Sequence, residues 1–280
     1  MRRLISNLTL SALLLLTHGV AAQSITTWSE DWEGDWSARW QIDADTWDVG
    51  MPGSGPAKAY AGSQAAATAL NGNYSEGVDS RLISPPIDLP AADQQPRLRF
   101  WHWYSFSNRD SARVQIKVDD GEWQNLPPTY FGTSSDAWSR AAIDLTSFAG
   151  NTVQFAFHFT SQQLGNNADV SSGWYLDNLA LVTGPLAFNA PEDWESGLGD
   201  WYVDQGTWEI GGGPGSAHSG EKTAATVLNG NYHENIDSRL ISPSFDLPAA
   251  DQQPRLRFWH RYSFSNLDST RVQIKVDDGA

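Results

Sequence analysis

Residues 79–120 read DSRLISPPIDLPAADQQPRLRFWHWYSFSNRDSARVQIKVDD, and residues 237–278 repeat them with five substitutions. The differing pairs are Pro86/Ser244, Ile87/Phe245, Trp103/Arg261, Arg109/Leu267 and Ala112/Thr270. A spacing of 158 residues means two whole domains in series, because solenoid repeats run about 20–50 residues. Period-two alternation inside the stretch predicts strands. Leu98, Phe100, His102, Tyr104 and Phe106 share one face, with Arg97, Arg99, Trp101, Trp103 and Ser105 on the other. Ala112, Val114, Ile116 and Val118 then alternate with Arg113, Gln115 and Lys117, and Asp119-Asp120-Gly121 is a hairpin turn.

The rest of the chain has the same grammar. Ala65–Leu70 is a short buried strand closed by an Asn-Gly turn at Asn71-Gly72, and the copy at Thr223–Leu228 closes the same way. Ile143–Leu145, Val153–Phe159 and Trp174–Leu181 are further strands, present in the first copy only. No stretch of a dozen residues beyond the N-terminal segment has a helical apolar period. The expected fold is all-β, a two-sheet antiparallel β-sandwich in tandem.

At the N-terminus, Arg2 and Arg3, the apolar run Leu8–Leu16 and Val20-Ala21-Ala22 predict a signal peptide cleaved after Ala22. A membrane anchor would need about 20 apolar residues in one run. The expected layout is therefore a signal peptide at 1–22, module 1 at 23–184, a linker at 185–191 and module 2 at 192–280. Module 2 lacks counterparts of Glu122–Val182, so it is expected to expose an incomplete sandwich and to belong to a longer protein. The product is expected to be secreted or held at the cell surface.

Cysteine is absent, which excludes disulfides and thiolate metal sites. The net charge of −15 becomes −17 without Arg2 and Arg3. That charge disfavours nucleic acid and anionic membranes, which need clustered Lys and Arg. Catalytic signatures are missing as well: there is no His-Glu-x-x-His, Gly-x-Ser-x-Gly or phosphate loop. Asn73-Tyr74-Ser75 fits the glycosylation acceptor pattern, and copy two has His233 in place of the serine.

Taken in order, several short motifs point to a family. They are Asp-Trp-Glu, Leu-Ile-Ser-Pro-x-(Ile/Phe)-Asp-Leu, Leu-x-Phe-x-His-x-Tyr, Val-x-Ile-x-Val-Asp-Asp-Gly and Gly-Trp-Tyr-Leu-Asp-Asn-Leu. The chain resembles the MAM-like or cleaved-adhesin type of jelly-roll module found in adhesins and as appendages of secreted peptidases. The resemblance implies a jelly roll with structural Ca²⁺ and no catalytic machinery. In such modules the first and last strands are neighbours, which would bring Asp31 and Glu33 toward Asp177 as an all-oxygen site. Copy two keeps Asp193 and Glu195 without the closing aspartate, so weak binding or none is expected there. The alternative is a solvated acidic edge.

Two other functions compete for these residues. Asp31, Glu33 and Asp35 alternate as the carboxylates of some jelly-roll glycoside hydrolases do, but copy two loses the third acid. The binding surface expected for an extracellular glycan or protein is Arg99, Trp101, Trp103 and Gln115, since tryptophan beside planar polar groups suits sugars and exposed peptides. Its alternative is that the second sheet or a loop covers these rings. An accessory targeting role in a secreted peptidase is the remaining binding reading.

Overall fold

In the computed structural model, which describes residues 24–44, 46–134, 136–165, 169–206, 208–212, 217–234 and 236–276, the first copy supplies twelve strands. Residues 1–22, expected from the sequence to be a signal peptide, lie outside these residues. The first six are β1 (Ile25–Glu30), β2 (Gln41–Ile42), β3 (Asp48–Gly50), β4 (Ala65–Ala67), β5 (Asp79–Ile83) and β6 (Ile87–Asp88). The others are β7 (Arg97–Ser105), β8 (Ser111–Val118), β9 (Gln124–Tyr130), β10 (Ser139–Asp144), β11 (Thr152–Thr160) and β12 (Gly173–Thr183).

They form two antiparallel six-stranded sheets. One runs β10-β7-β12-β4-β3, with β1 also paired to β12, and the other runs β2-β5-β11-β8-β9, with β6 also paired to β11. Leu98, Phe100, His102, Tyr104 and Phe106 of β7 pack into the core, as their parity requires. Ala112, Val114 and Ile116 of β8 and Phe155, Phe157 and Phe159 of β11 meet them from the second sheet.

The parity of β12 breaks once. Trp174 and Leu176 face the core, a bulge follows at Asp177–Asn178, and Leu179 and Leu181 then take over the core side. Asn178 adopts a φ of 45°, which asparagine tolerates better than most residues. The bulge takes Asn178, whose parity would point it into the core, off the core face and lets the apolar stripe continue at Leu179.

The second copy divides. Its opening, with β13 (Tyr202–Val203), β14 (Glu209–Gly211), β15 (Thr223–Ala225) and β16 (Leu240–Ile241), belongs to one compact unit with the first copy, ending at Ser244. β13 pairs with β16 as β2 pairs with β5, so this part repeats the local fold of the first copy.

Residues from Phe245 onward form a separate unit. Here the expectation of strands fails. The counterparts of β7 and β8 form no strand, and Leu256, Trp259, Leu267 and Ile274 are exposed. The cause is missing partners. In the first copy β7 bonds to β10 and β12, and β8 to β9 and β11, whereas the described residues of the second copy include no counterparts of β9–β12. Alternation survives even so: Phe258, His260, Tyr262 and Phe264 contact ring to ring along one side.

Candidate functional site

Where β1 ends, Glu30 is buried and its carboxylate accepts from the Trp32 backbone N–H (3.2 Å), Trp40 Nε1 (2.9 Å) and Arg39 (2.9 Å). Trp32 turns the chain at a φ of 65°, and Asp31 accepts from the Glu33 N–H within that turn. Glu33 then reaches across to the loop before β4. Its carboxylate takes the N–H groups of Ser63 (2.7 Å) and Gln64 (2.8 Å) and the Ser63 hydroxyl (2.9 Å). These bonds stabilise the anion and hold its pKa below the usual value.

Asp177, on the β12 bulge, grips the same loop two residues before Ser63. It is fully buried, accepting from the Ala61 N–H (3.0 Å) and the Asn178 N–H (2.7 Å). Burial raises its pKa to about 6 against the pull of those donors, and the charge of Glu33 adds to the rise. Glu33 and Asp177 thus converge on residues 61–64, while Asp31 is occupied within its own turn. Among the described residues no group of three or more acidic or histidine side chains lies close enough to hold a metal ion.

Copy two repeats half of this latch. Asp193 accepts from the Glu195 N–H, and Glu195 accepts from Glu221 (2.7 Å) and Lys222 (2.8 Å). It has no counterpart of Asp177 among the described residues.

The latched loop covers the outer face of the first sheet. Gly55 lies on the rings of Trp103 and Tyr175 so closely that a Cβ would stand 2.6 Å from Tyr175, and Trp103 is buried beneath it. Further along, Tyr60 stacks on Trp101 with centroids 3.8 Å apart and planes 13° apart, and meets the edge of Trp138 at 6.4 Å. Arg140 lies 5.9 Å from the Trp101 ring. Tyr60 is 41 % exposed, and Trp101 and Trp138 are half-buried.

The four residues expected to form one binding face are therefore dispersed. Trp101 is accessible, Trp103 is covered, and Arg99 is buried in an ion pair with Asp200. Gln115 sits on the other sheet, bonded to Arg81 (2.8 Å) and Asn125 (2.8 Å). Tyr60 and Trp138, which complete the accessible aromatic patch, lie in or beside loops that show no period. Proximity of Tyr60 to Trp101 follows from the Glu33 and Asp177 latch. His102 is a core residue: burial pushes its pKa down to about 3, and Trp174 Nε1 donates to its Nδ1 (3.4 Å).

No family model matches the chain. It is 29% identical over 137 residues to bacillopeptidase F of Bacillus subtilis, covering 48% of this chain and 9% of that protein. It is 32% identical over 120 residues to the pre-pro-metalloprotease PrtV of Vibrio cholerae, covering 39% of this chain and 12% of that protein. The chain thus spans about a tenth of the length of the curated relatives it matches. Among solved structures, the K1 cleaved adhesin domain of Lys-gingipain from Porphyromonas gingivalis superimposes with a TM-score of 0.40 at 19% identity, over 57% of this chain and 97% of that domain.

Proposed function

We propose that the first copy is a non-catalytic, extracellular binding module for a glycan or protein, with its binding surface on Tyr60, Trp101 and Trp138. The observation that carries this is the stacked Tyr60–Trp101 pair, half open to solvent and braced by Trp138 and Arg140. Flat rings with one free face suit sugar C–H surfaces and exposed peptide side chains. The carboxylates support binding over hydrolysis. A glycosidase needs a raised-pKa acid and its partner facing an open cleft. Here Glu33 is a lowered-pKa anion spent on loop N–H groups, and Asp177, whose pKa burial raises, is buried against the N–H groups of Ala61 and Asn178.

Calcium would be held by Glu33 and Asp177 with loop carbonyls, as a structural ion. The donor chemistry suits a hard cation, and their mutual repulsion is what a cation would relieve. An accessory role in a larger peptidase is the second reading, supported by sequence relatives in which the matching segment is a small fraction of the protein.

Screening the chain and Tyr60→Ala on an array of immobilised glycans and extracellular matrix proteins tests the proposal. Loss of one stacking face costs about 0.5–1.5 kcal/mol, so a hit should weaken roughly two- to tenfold in the variant. A hit indifferent to Tyr60→Ala would place binding elsewhere.

A further inference from the structure

A cleft of about 160 Å³ lies where the opening of the second copy meets the first, lined by Asp136 from the first copy and Glu209, Val227, Asn229, Asn231 and His233 from the second. We propose that it is a subsite for one neutral sugar residue, contiguous with the Tyr60–Trp101–Trp138 patch. This assignment rests on the glycan-binding form of the function proposed above and names a polar site that the aromatic patch lacks.

About half of the exposed lining is apolar, with Ala137 and Val227 contributing to it, and the polar half mixes both sides of the hydrogen-bonding inventory. Asp136 and Glu209 accept, while the amides of Asn229 and Asn231 both donate and accept. Vicinal hydroxyls, each donor and acceptor, satisfy such a set. An ammonium group would use the acceptors and leave the amide donors facing it. The volume suits a single pyranose ring.

Asp136, at the cleft, is two residues before Trp138, which stands edge-on to Tyr60. A sugar chain with one residue in the cleft would therefore run onto the exposed rings. The cleft is also a property of the tandem. His233 bridges to Asp136 (3.2 Å) and replaces Ser75 of the first copy, and Glu209 replaces Asp48. Burial raises the pKa of Glu209 and the charge of Asp136 adds to the rise, so the two acids feel each other across the junction.

The test uses the full chain against β-1,4-linked xylohexaose, mannohexaose and galactohexaose, with the glucosamine hexamer as a cationic comparison. Asn229 and Asn231 are exposed, so Asn229→Ala and Asn231→Ala should leave the melting curve unchanged. Each is expected to weaken the tightest neutral hexasaccharide at least fivefold, and Tyr60→Ala should weaken it as well. If Tyr60→Ala weakens binding and both asparagine variants bind as wild type, the cleft assignment is overturned while the aromatic surface stands. If the asparagine variants alone lose affinity, the cleft stands and the aromatic surface falls. Binding of the glucosamine hexamer alone, or of none of the four, overturns the neutral-sugar assignment.

Discussion

Gly62 and Gly220 occupy matching turns with φ of +61° and +70°, each with a glutamate carboxylate against its Cα. A Cβ would stand 2.4 Å from Glu33 in the first copy and 2.3 Å from Glu195 in the second. Replacing Gly62 with alanine should cost at least about 1–2 kcal/mol from the left-handed backbone alone, measurable by chemical denaturation. A cost near zero would mean the latch gives way freely. Asp177 makes a prediction of opposite character. Its folded pKa of about 6, raised by burial, exceeds the ordinary aspartate value of 3.8, so the folded state binds the proton more tightly and stability falls as pH rises through that window. The loss is about 3 kcal/mol for two pKa units and should be missing from Asp177→Asn. Calcium at neutral pH should recover part of it, raising the melting temperature of the wild type but not of the variant. Equal pH slopes for the two proteins, or no response to calcium, would remove Asp177 from the account.

Among the elements, β7 and β8 were legible because alternation with a two-residue period has one geometric meaning when one face is buried. The same residues in the second copy form no strand, since a strand is a relation between segments and the described residues hold no counterparts of the partner segments β9–β12. That the acids after β1 would meet Asp177 on the β12 bulge was an expectation of the family resemblance, not a reading of periodicity. Their use was not legible, because sequence cannot show that loop N–H groups take up Glu33 and Asp177. Tyr60 was illegible for the same reason: its position beside Trp101 depends on a loop path fixed by distant carboxylates. Removing that anchor should therefore reach the aromatic patch. Glu33→Gln weakens the grip on Ser63 and Gln64, and is expected to raise the solvent exchange of the residue 61–64 amides with the core amides of β7 unchanged. Uniform exchange across both would show that Glu33 holds nothing locally.

At the scale of the molecule, the two copies differ most tellingly at one position before the shared tryptophan. Arg39 precedes Trp40 and pairs with Glu30 of its own turn, whereas Asp200 precedes Trp201 and pairs with Arg99 of the first copy. Arg140 adds bonds to the carbonyls of Gly199 (2.5 Å) and Trp201 (2.7 Å). Asp200→Ala would leave Arg99 buried and unpaired, at a cost of about 3–5 kcal/mol. The opening of the second copy should then become the first site of limited proteolysis, and an unaltered cleavage pattern would deny the pair its role in joining the copies. The central claim, that this joined surface binds without reacting, is tested most directly by equilibrium dialysis against the oligosaccharide that binds tightest, followed by chain-length analysis of what is recovered. The account predicts retention on the protein side with every molecule at its original length. Progressive shortening that disappears in Glu33→Gln would contradict it and make the module a hydrolase.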